Sequence, residues 1–144
     1  MNPAMLQNFL YQNIPAAAAL QLAVLESTPE RVALLAPFAP NQNHHHTIFG
    51  GSIALAATLC GWSLVHVRHP ECKGKIVIQE GHTRYLKPAE GDLTAICETA
   101  DEAAWAKCAE MLARRGKGKI DLLCSLYSEG VLAAEFSGRY VVLK

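Results

Sequence analysis

The sequence predicts an α+β fold in which one long buried helix is wrapped by a curved antiparallel sheet. The first observation is residues 52–67, SIALAATLCGWSLVHV, which are apolar on nearly every side. A surface helix would show a single apolar stripe, so this helix must be surrounded by protein. The second observation is a set of strand-like segments before and after this helix, bounded by turn residues, which would supply the surrounding sheet.

The amino-terminal part predicts one short helix and two strands. Residues 3–13, PAMLQNFLYQN, place apolar side chains at helical spacing, and Ile14-Pro15 ends the pattern. Residues 20–39 contain two apolar runs on either side of STPE, which favours a turn, so they predict two antiparallel strands. Pro37 and Pro40 close the second strand.

The carboxyl-terminal part predicts four strands and a second helix. The strands are expected at residues 75–86, 92–100, 119–130 and 131–144, the last two joined by a Glu-Gly turn. Residues 101–118 predict the helix, because acidic residues begin it and Arg114 and Arg115 lie at its end, as the helix dipole favours.

Composition restricts the classes of partner. The 144 residues contain 51% apolar residues and fit a single domain over 1–144, and the 13 basic and 13 acidic residues balance. A neutral chain predicts neither nucleic-acid binding nor membrane association, and favours a small molecule or a second copy as partner. The charge-free stretch from 32 to 67 contains prolines, polar residues and glycines that argue against a membrane span.

The cysteines and the first residues indicate a cytoplasmic protein. Five cysteines, an odd number without a CxxC pair, predict neither a disulfide framework nor a zinc knuckle. They lie on apolar segments without an adjacent base and are expected to be core thiols, apart from Cys72 between charged residues. The first 25 residues lack the basic start of a secretory signal, and Pro15 interrupts them.

Residues 44–46 are three adjacent histidines that suggest metal chemistry. Consecutive side chains of an extended loop point in different directions, and no cysteine or carboxylate lies nearby, so no metal site is predicted. His45 or His46 could instead act as a base near neutral pH, or all three could be loop residues without chemistry.

Several motifs together resemble a known family. These are Ile14-Pro15, APFAPNQN at 36–43, TIFGGSIALAATLCGW at 47–62 and RYLKPAEGD at 84–92. They resemble the thioesterase family that also forms the carboxyl-terminal domain of YiiD-type acetyltransferase fusions, over nearly the whole chain. The resemblance implies the hotdog fold, a homodimer or dimer of dimers with sheets joined edge to edge, and hydrolysis of acyl-CoA or acyl carrier protein. Coenzyme A would be part of the substrate, and no separate cofactor is implied.

The resemblance assigns the first catalytic role to the turn before the buried helix. Phe49-Gly50-Gly51 stands where related hotdog enzymes have His-Gly-Gly. Free amides at a helix start can hold a thioester oxygen as it becomes negative, and the Gly51 N–H is the expected donor. Thr47 and Ser52 complete the substrate-binding turn. Without the resemblance, the two glycines could merely make a tight turn.

Two further positions carry catalytic expectations from the resemblance. Thr58 stands where related enzymes have an Asp or Glu, and a neutral hydroxyl cannot act as a general base, although it could orient a water. It could equally bond to a carbonyl one turn earlier. Asn43 has the offset of a water-positioning asparagine, or it caps the loop after Pro40.

The segment EGHTRYL predicts a strand that contributes to the site. Period 2 places His82 and Arg84 on one face and Thr83 and Tyr85 on the other. His82 and Arg84 could supply a proton acceptor and an anion contact to a partner subunit, or form a solvated face. Tyr85 would be a core or pocket-wall aromatic.

Three functions remain open at this stage. The leading one is a thioesterase whose acyl chain follows Ile53, Leu55 and Leu59. A non-catalytic acyl-thioester binding protein is second, because of Thr58. A hydratase or dehydratase ranks last, because no carboxylate and histidine pair lies near the glycines. The cluster RRGKGK at 114–119 could hold the phosphates of coenzyme A or an acidic carrier protein, or be a solvated helix end.

Overall fold

A computed structural model describes residues 1–99 and 101–144. In chain order the elements are α1 (Pro3–Asn13), α2 (Pro15–Ala19), β1 (Ala23–Ser27), β2 (Arg31–Ala36), α3 (Phe38–Asn41), α4 (Gly50–Arg68), a 3₁₀ turn (Pro70–Cys72), β3 (Ile76–Tyr85), β4 (Leu93–Glu98), α5 (Glu102–Arg115), β5 (Lys117–Ser128) and β6 (Val131–Leu143). The six strands form one antiparallel sheet in the order β1-β2-β4-β5-β6-β3. The predicted α+β class, with its long central helix and antiparallel sheet, is confirmed.

Helix α4 is the centre of the fold because five of the six strands contact it. It carries no charged residue before Arg68, so it can be enclosed without burying an unpaired charge. Gly61 allows close packing, because a Cβ there would lie 2.7 Å from Cζ of the buried Tyr140. By length and composition α4 could also cross a membrane, but 67% of its apolar 18-residue stretch is buried in the protein, as expected of a core helix.

The first helix closes one end of the barrel-like wrap. Leu6 and Leu10 of α1 are fully buried, and Phe9 stacks on His66 of α4 with ring centroids 4.1 Å apart. The ring nitrogens of His66 have no hydrogen-bond partner in the described chain, and burial lowers the pKa of His66 below its ordinary value. Helix α1 therefore covers the carboxyl-terminal half of α4.

Several predicted boundaries need correction. The helix predicted over 101–118 ends at Arg115, because Gly116 takes a left-handed conformation with φ of 72° and residues 117–118 already belong to β5. The first strand begins at Ala23, since residues 15–19 form α2. Position 100 of the strand predicted over 92–100 lies outside the described residues. The Glu-Gly turn between β5 and β6 is confirmed, with both residues at positive φ.

Candidate active site at the start of the central helix

The loop between α3 and α4 is a small closed turn. Gln42 and Ile48 pair as an isolated antiparallel bridge, and the Asn43 amide donates to the Thr47 carbonyl at 2.8 Å. His46 takes a left-handed φ of 59° to close the turn. The Ile48 amide donates to Ala89 O at 2.8 Å, so the segment after β3 supports the loop from behind.

The side chain of Asn43 organises this turn from within. Its Oδ1 accepts from the His45 amide at 2.9 Å and from the Thr47 amide at 3.3 Å. Its Nδ2 donates to Thr47 Oγ1 at 3.0 Å. The amide group carries two N–H donors, and this bond uses one of them. The loop-capping interpretation of Asn43 is thus confirmed as geometry, while its water-positioning role stays a prediction.

Asn41 anchors the loop to the body of the protein, and sequence reasoning missed it. Its side chain is buried and donates to Leu20 O at 2.9 Å and to Pro37 O at 2.8 Å. The main-chain carbonyl of Asn41 accepts a hydrogen bond from the Phe49 amide at 2.7 Å. A buried asparagine whose amide nitrogen makes two hydrogen bonds fixes the approach to α4. The bond to Leu20 joins residues 21 positions apart, so no local pattern could have revealed it.

The first turn of α4 leaves two main-chain donors free. No side chain caps the helix, and the amides of Ser52 and Ile53 both donate to Phe49 O, at 2.9 and 3.1 Å. The amides of Gly50 and Gly51 donate to no atom of the described chain. Gly51 is exposed and Gly50 half-buried, so both donors lie at the surface at the positive end of the helix dipole.

Two exposed aromatic rings flank these amides. Tyr85 Oη donates to Gly50 O at 3.0 Å, and the ring is 55% exposed. The ring of Phe49 is 57% exposed and lies over Gly51, where a Cβ would stand 3.0 Å from its Cζ and closer still to its edge. Glycine at 51 therefore permits the close approach of Phe49. Tyr85 is therefore not a core residue, and its pocket-wall role stays a prediction.

Thr58 lies two turns further along α4, about 10 Å from Gly51 by helical rise. Its hydroxyl donates to Ala54 O at 2.8 Å, which is the local bond expected of a threonine within a helix.

The expected acyl path is packed in the single chain, because Ile53 and Leu59 are buried core residues and Leu55 is half-buried against them.

Strand β3 separates its two sets of side chains as predicted. Tyr85 faces α4, whereas His82 lies on the other face of the sheet, where it lines a shallow hollow with Ser137 and Arg139. Arg84 is exposed and pairs in register with Glu135 of β6. Neither His82 nor Arg84 can reach the start of α4 in its own chain. Any role for them at a site would need a second subunit.

The three histidines project from the turn into solvent. The rings of His44 and His45 lie 4.0 Å apart, and His46 Nδ1 lies 3.3 Å from Gln42 Oε1. Among residues 1–99 and 101–144, no group of three or more His, Cys, Asp or Glu side chains is arranged to hold a metal ion.

All five cysteines are free and buried, including Cys72. Hydrogen bonding with Cys124, together with burial, raises the pKa of the Cys97 thiol, and burial raises that of Cys72 and Cys108. Thiols with raised pKa values carry little thiolate and are poor nucleophiles. Because all five thiols are buried, none of them is a candidate nucleophile at the exposed start of α4.

Six antiparallel strands around a long central helix define a protein of the hotdog fold. The family model described as "Putative thioesterase (yiiD_Cterm)" matches residues 3–144. The chain therefore belongs to this family.

Solved structures agree with this assignment. The putative thioesterase from Shewanella oneidensis is 32% identical, with 99% of this chain and 97% of that chain covered and a TM-score of 0.85. A protein of unknown function from Chlorobaculum tepidum is 28% identical, with the same coverage of both chains and a TM-score of 0.90. A probable thioesterase from Pseudomonas aeruginosa, 21% identical with 98% and 95% covered and a TM-score of 0.78, shares the fold.

Proposed function

We propose that this chain hydrolyses acyl thioesters of coenzyme A or acyl carrier protein, with the Gly51 amide holding the carbonyl oxygen as it becomes negative. The observation that carries the proposal is the uncapped start of α4, where the amides of the half-buried Gly50 and the exposed Gly51 have no partner in the described chain. Donors that are already fixed in place cost no reorganisation during the reaction, which is why such sites favour tetrahedral intermediates.

Water would be guided to the thioester by the turn that precedes α4. Asn43 keeps one unused N–H donor, and the imidazoles of His45 and His46 are exposed, so a ring nitrogen of either could accept a proton from water. Thr58 would orient a water by accepting a hydrogen bond, since its own proton is donated to Ala54 O. Phe49 and Tyr85 would form the walls that receive the thioester.

A homodimer would complete the site. Strand β3 is bonded to β6 on one side only, and Val77 near its start is 54% exposed. An exposed edge strand with apolar side chains is a template for pairing with another chain. Antiparallel pairing of two β3 edges would continue the sheet with its faces unchanged, so Tyr85, on the face toward α4, would be carried toward the partner's central helix, whereas His82 and Arg84 would stay on the outer face. Light scattering after gel filtration should give twice the chain mass, and Val77→Lys should shift the mass to that of one chain.

The test of the activity is hydrolysis of a panel of acyl-CoA thioesters of increasing chain length, followed with a thiol-detecting dye. Turnover that saturates with substrate is expected for at least one chain length. The same rates with and without protein, across the panel, would overturn the proposal. Acyl carrier protein loaded with the same acyl groups distinguishes the two carriers.

One observation favours a second candidate function, a non-catalytic acyl-thioester binding protein. The position at which related enzymes place an Asp or Glu is Thr58, whose hydroxyl proton is bound to Ala54 O. Calorimetric binding of intact acyl-CoA without release of thiol over several hours would favour this function over hydrolysis.

A further inference from the structure

Strand β5 extends well beyond its neighbour β4. The pairing of β4 with β5 ends at Cys97 and Cys124, whereas β5 begins at Lys117. Seven residues of β5 therefore have β6 on one side and no described strand on the other. Helix α5, 14 residues and about 21 Å long, returns alongside this stretch of about 23 Å. Helix α5 thus runs beside this stretch of β5.

The side of β5 that faces away from β6 presents main-chain groups that have no partner among residues 1–99 and 101–144. Gly116 O accepts from the Lys144 amide, which fixes the alternation of hydrogen bonds along the pair of strands. Gly118 and Ile120 accordingly direct their main-chain groups to β6, and Lys119 and Asp121 direct theirs to the other side. Among the described residues, no atom bonds to these outward groups of Lys119 and Asp121.

A groove of about 870 Å³ lies between α5 and this free edge. Trp105 and Met111 of α5 line one wall, and Lys119 and Leu123 of β5 line the other. Leu123 is 73% exposed, the largest exposed fraction among the exposed large apolar side chains of the protein. The groove therefore combines an apolar surface with a row of unpaired main-chain donors and acceptors.

Every acidic group that lines the groove already has a partner. Glu98 forms an ion pair with Arg31, and Asp121 forms one with Arg139 at 2.9 Å. Asp101 accepts from the Ala104 amide at 3.1 Å as the cap of α5.

Apart from Arg139, which pairs with Asp121, the basic groups that line the groove are not neutralised in the same way. Lys107, Arg115 and Lys119 form no ion pair with the residues that the structure describes, and Arg114 only approaches Glu110 at 3.8 Å on the exposed helix surface. A pair this long and exposed holds little of the Arg114 charge. The charge available to a ligand in the groove is thus positive.

We propose that this groove binds an extended, acidic segment of another protein, which adds as a strand to the free edge of β5. The segment's main chain would bond to Lys119 and Asp121, and its alternate apolar side chains would pack on Leu123 and Met111. Its carboxylates would lie against Lys107, Arg115 and Lys119. Strand addition uses main-chain bonds for affinity and alternate side chains for specificity. This inference is independent of the thioesterase proposal.

The test is fluorescence anisotropy of the full chain at low salt with a labelled, capped peptide of alternating Glu and Val, eight residues long. Saturable binding is expected, and a peptide of alternating Lys and Val should bind at least about tenfold more weakly. The Glu-Val peptide is also made with N-methyl groups on one or the other set of alternate residues. Methylation of one set should abolish binding, and methylation of the other should leave the affinity within a few-fold. Only one set of peptide N–H groups would face the edge of β5.

Protein variants test the charges. Arg115→Glu combined with Lys119→Glu should weaken the Glu-Val peptide at least about tenfold, and the matched control Lys73→Glu, an exposed lysine outside the groove, should not. The N-methyl comparison uses the unaltered chain, so it decides the matter even if the double variant folds poorly.

Four results would overturn the inference. The first is no binding of the Glu-Val peptide, and the second is equal binding of both N-methylated peptides. The third is displacement of the peptide by adenosine 3′,5′-bisphosphate that itself loses affinity in the same double variant, which would make the groove a nucleotide site. A change of oligomeric mass in the double variant would instead make a second copy of this chain the occupant.

Discussion

The main-chain N–H of Gly51 can be removed without changing any side chain, by replacing the residue with glycolic acid so that an ester oxygen takes its place. In the folded chain this N–H has no partner and Gly51 is exposed. Its removal therefore breaks no intramolecular hydrogen bond, and the free energy of unfolding should change by less than about 0.5 kcal/mol. Any loss of activity would then come from the reaction itself.

The expected loss follows from the role proposed for the donor. Removing one donor to a developing oxyanion costs on the order of 3 kcal/mol, and each 1.36 kcal/mol is tenfold in rate, so kcat should fall by roughly 100-fold. Because the donor acts mainly on the transition state, KM should change by no more than a few-fold. The measurement is the steady-state rate on the best acyl-CoA of the panel, beside urea unfolding of the same protein.

Two controls separate the donor from the ester. Replacing Ser52 with the α-hydroxy acid that keeps the serine side chain removes an N–H that donates to Phe49 O at 2.9 Å. This ester should cost about 1 kcal/mol of stability and leave kcat within a few-fold. The ester at 51 also weakens Gly50 O, which accepts from Tyr85 Oη at 3.0 Å. Tyr85→Phe measures that contribution alone. Full activity in the Gly51 ester would refute the reasoning.

Three further predictions concern α4. Burial lowers the pKa of His66 below 6.5, so the unfolded chain takes up the proton first, and stability should fall as the pH drops below about 6.5. His66→Phe should flatten this decline in urea unfolding from about pH 7.5 to 5; an unchanged slope would contradict it. Gly61→Ala should lower the free energy of unfolding by about 1–2 kcal/mol, because overlap with Tyr140 outweighs a helix-propensity gain of about 1 kcal/mol, and adding Tyr140→Phe should recover part of the loss. If the Thr58 hydroxyl orients water, Thr58→Val should lower kcat about tenfold, whereas Thr58→Ser, which keeps a hydroxyl, should not. The same kcat in the two variants would exclude that role.

The central helix and most strands could be predicted because their signals are local. A run without charge from residue 52 to 67 must be buried, and alternation along β3 placed Tyr85 opposite His82 correctly. Helix α5 was predicted three residues too long, because its basic end continues into β5 and only the left-handed Gly116 marks the stop. Short helices such as α2 leave too few residues for a periodic pattern.

The candidate site was only partly predictable. The glycine turn could be recognised from its sequence, but the bonds that hold it, from Asn41 to Leu20 and from Tyr85 to Gly50, join residues 21 and 35 positions apart. Such contacts follow from the packed fold and not from spacing. The same limit applies to the groove beside α5, since the positive charge that remains there depends on which carboxylates are already paired.

The position of β6 in the sheet has a consequence for synthesis of the protein. It follows every other strand in the chain, yet it lies between β5 and β3 and contacts α4. Before residues 131–143 leave the ribosome, β3 lacks the strand with which it pairs, and the side of the apolar α4 that β6 covers is exposed to solvent. Nascent chains halted at this stage should therefore aggregate readily and depend on chaperones. Deletion of β1, at the other edge of the sheet, would leave this side of α4 covered.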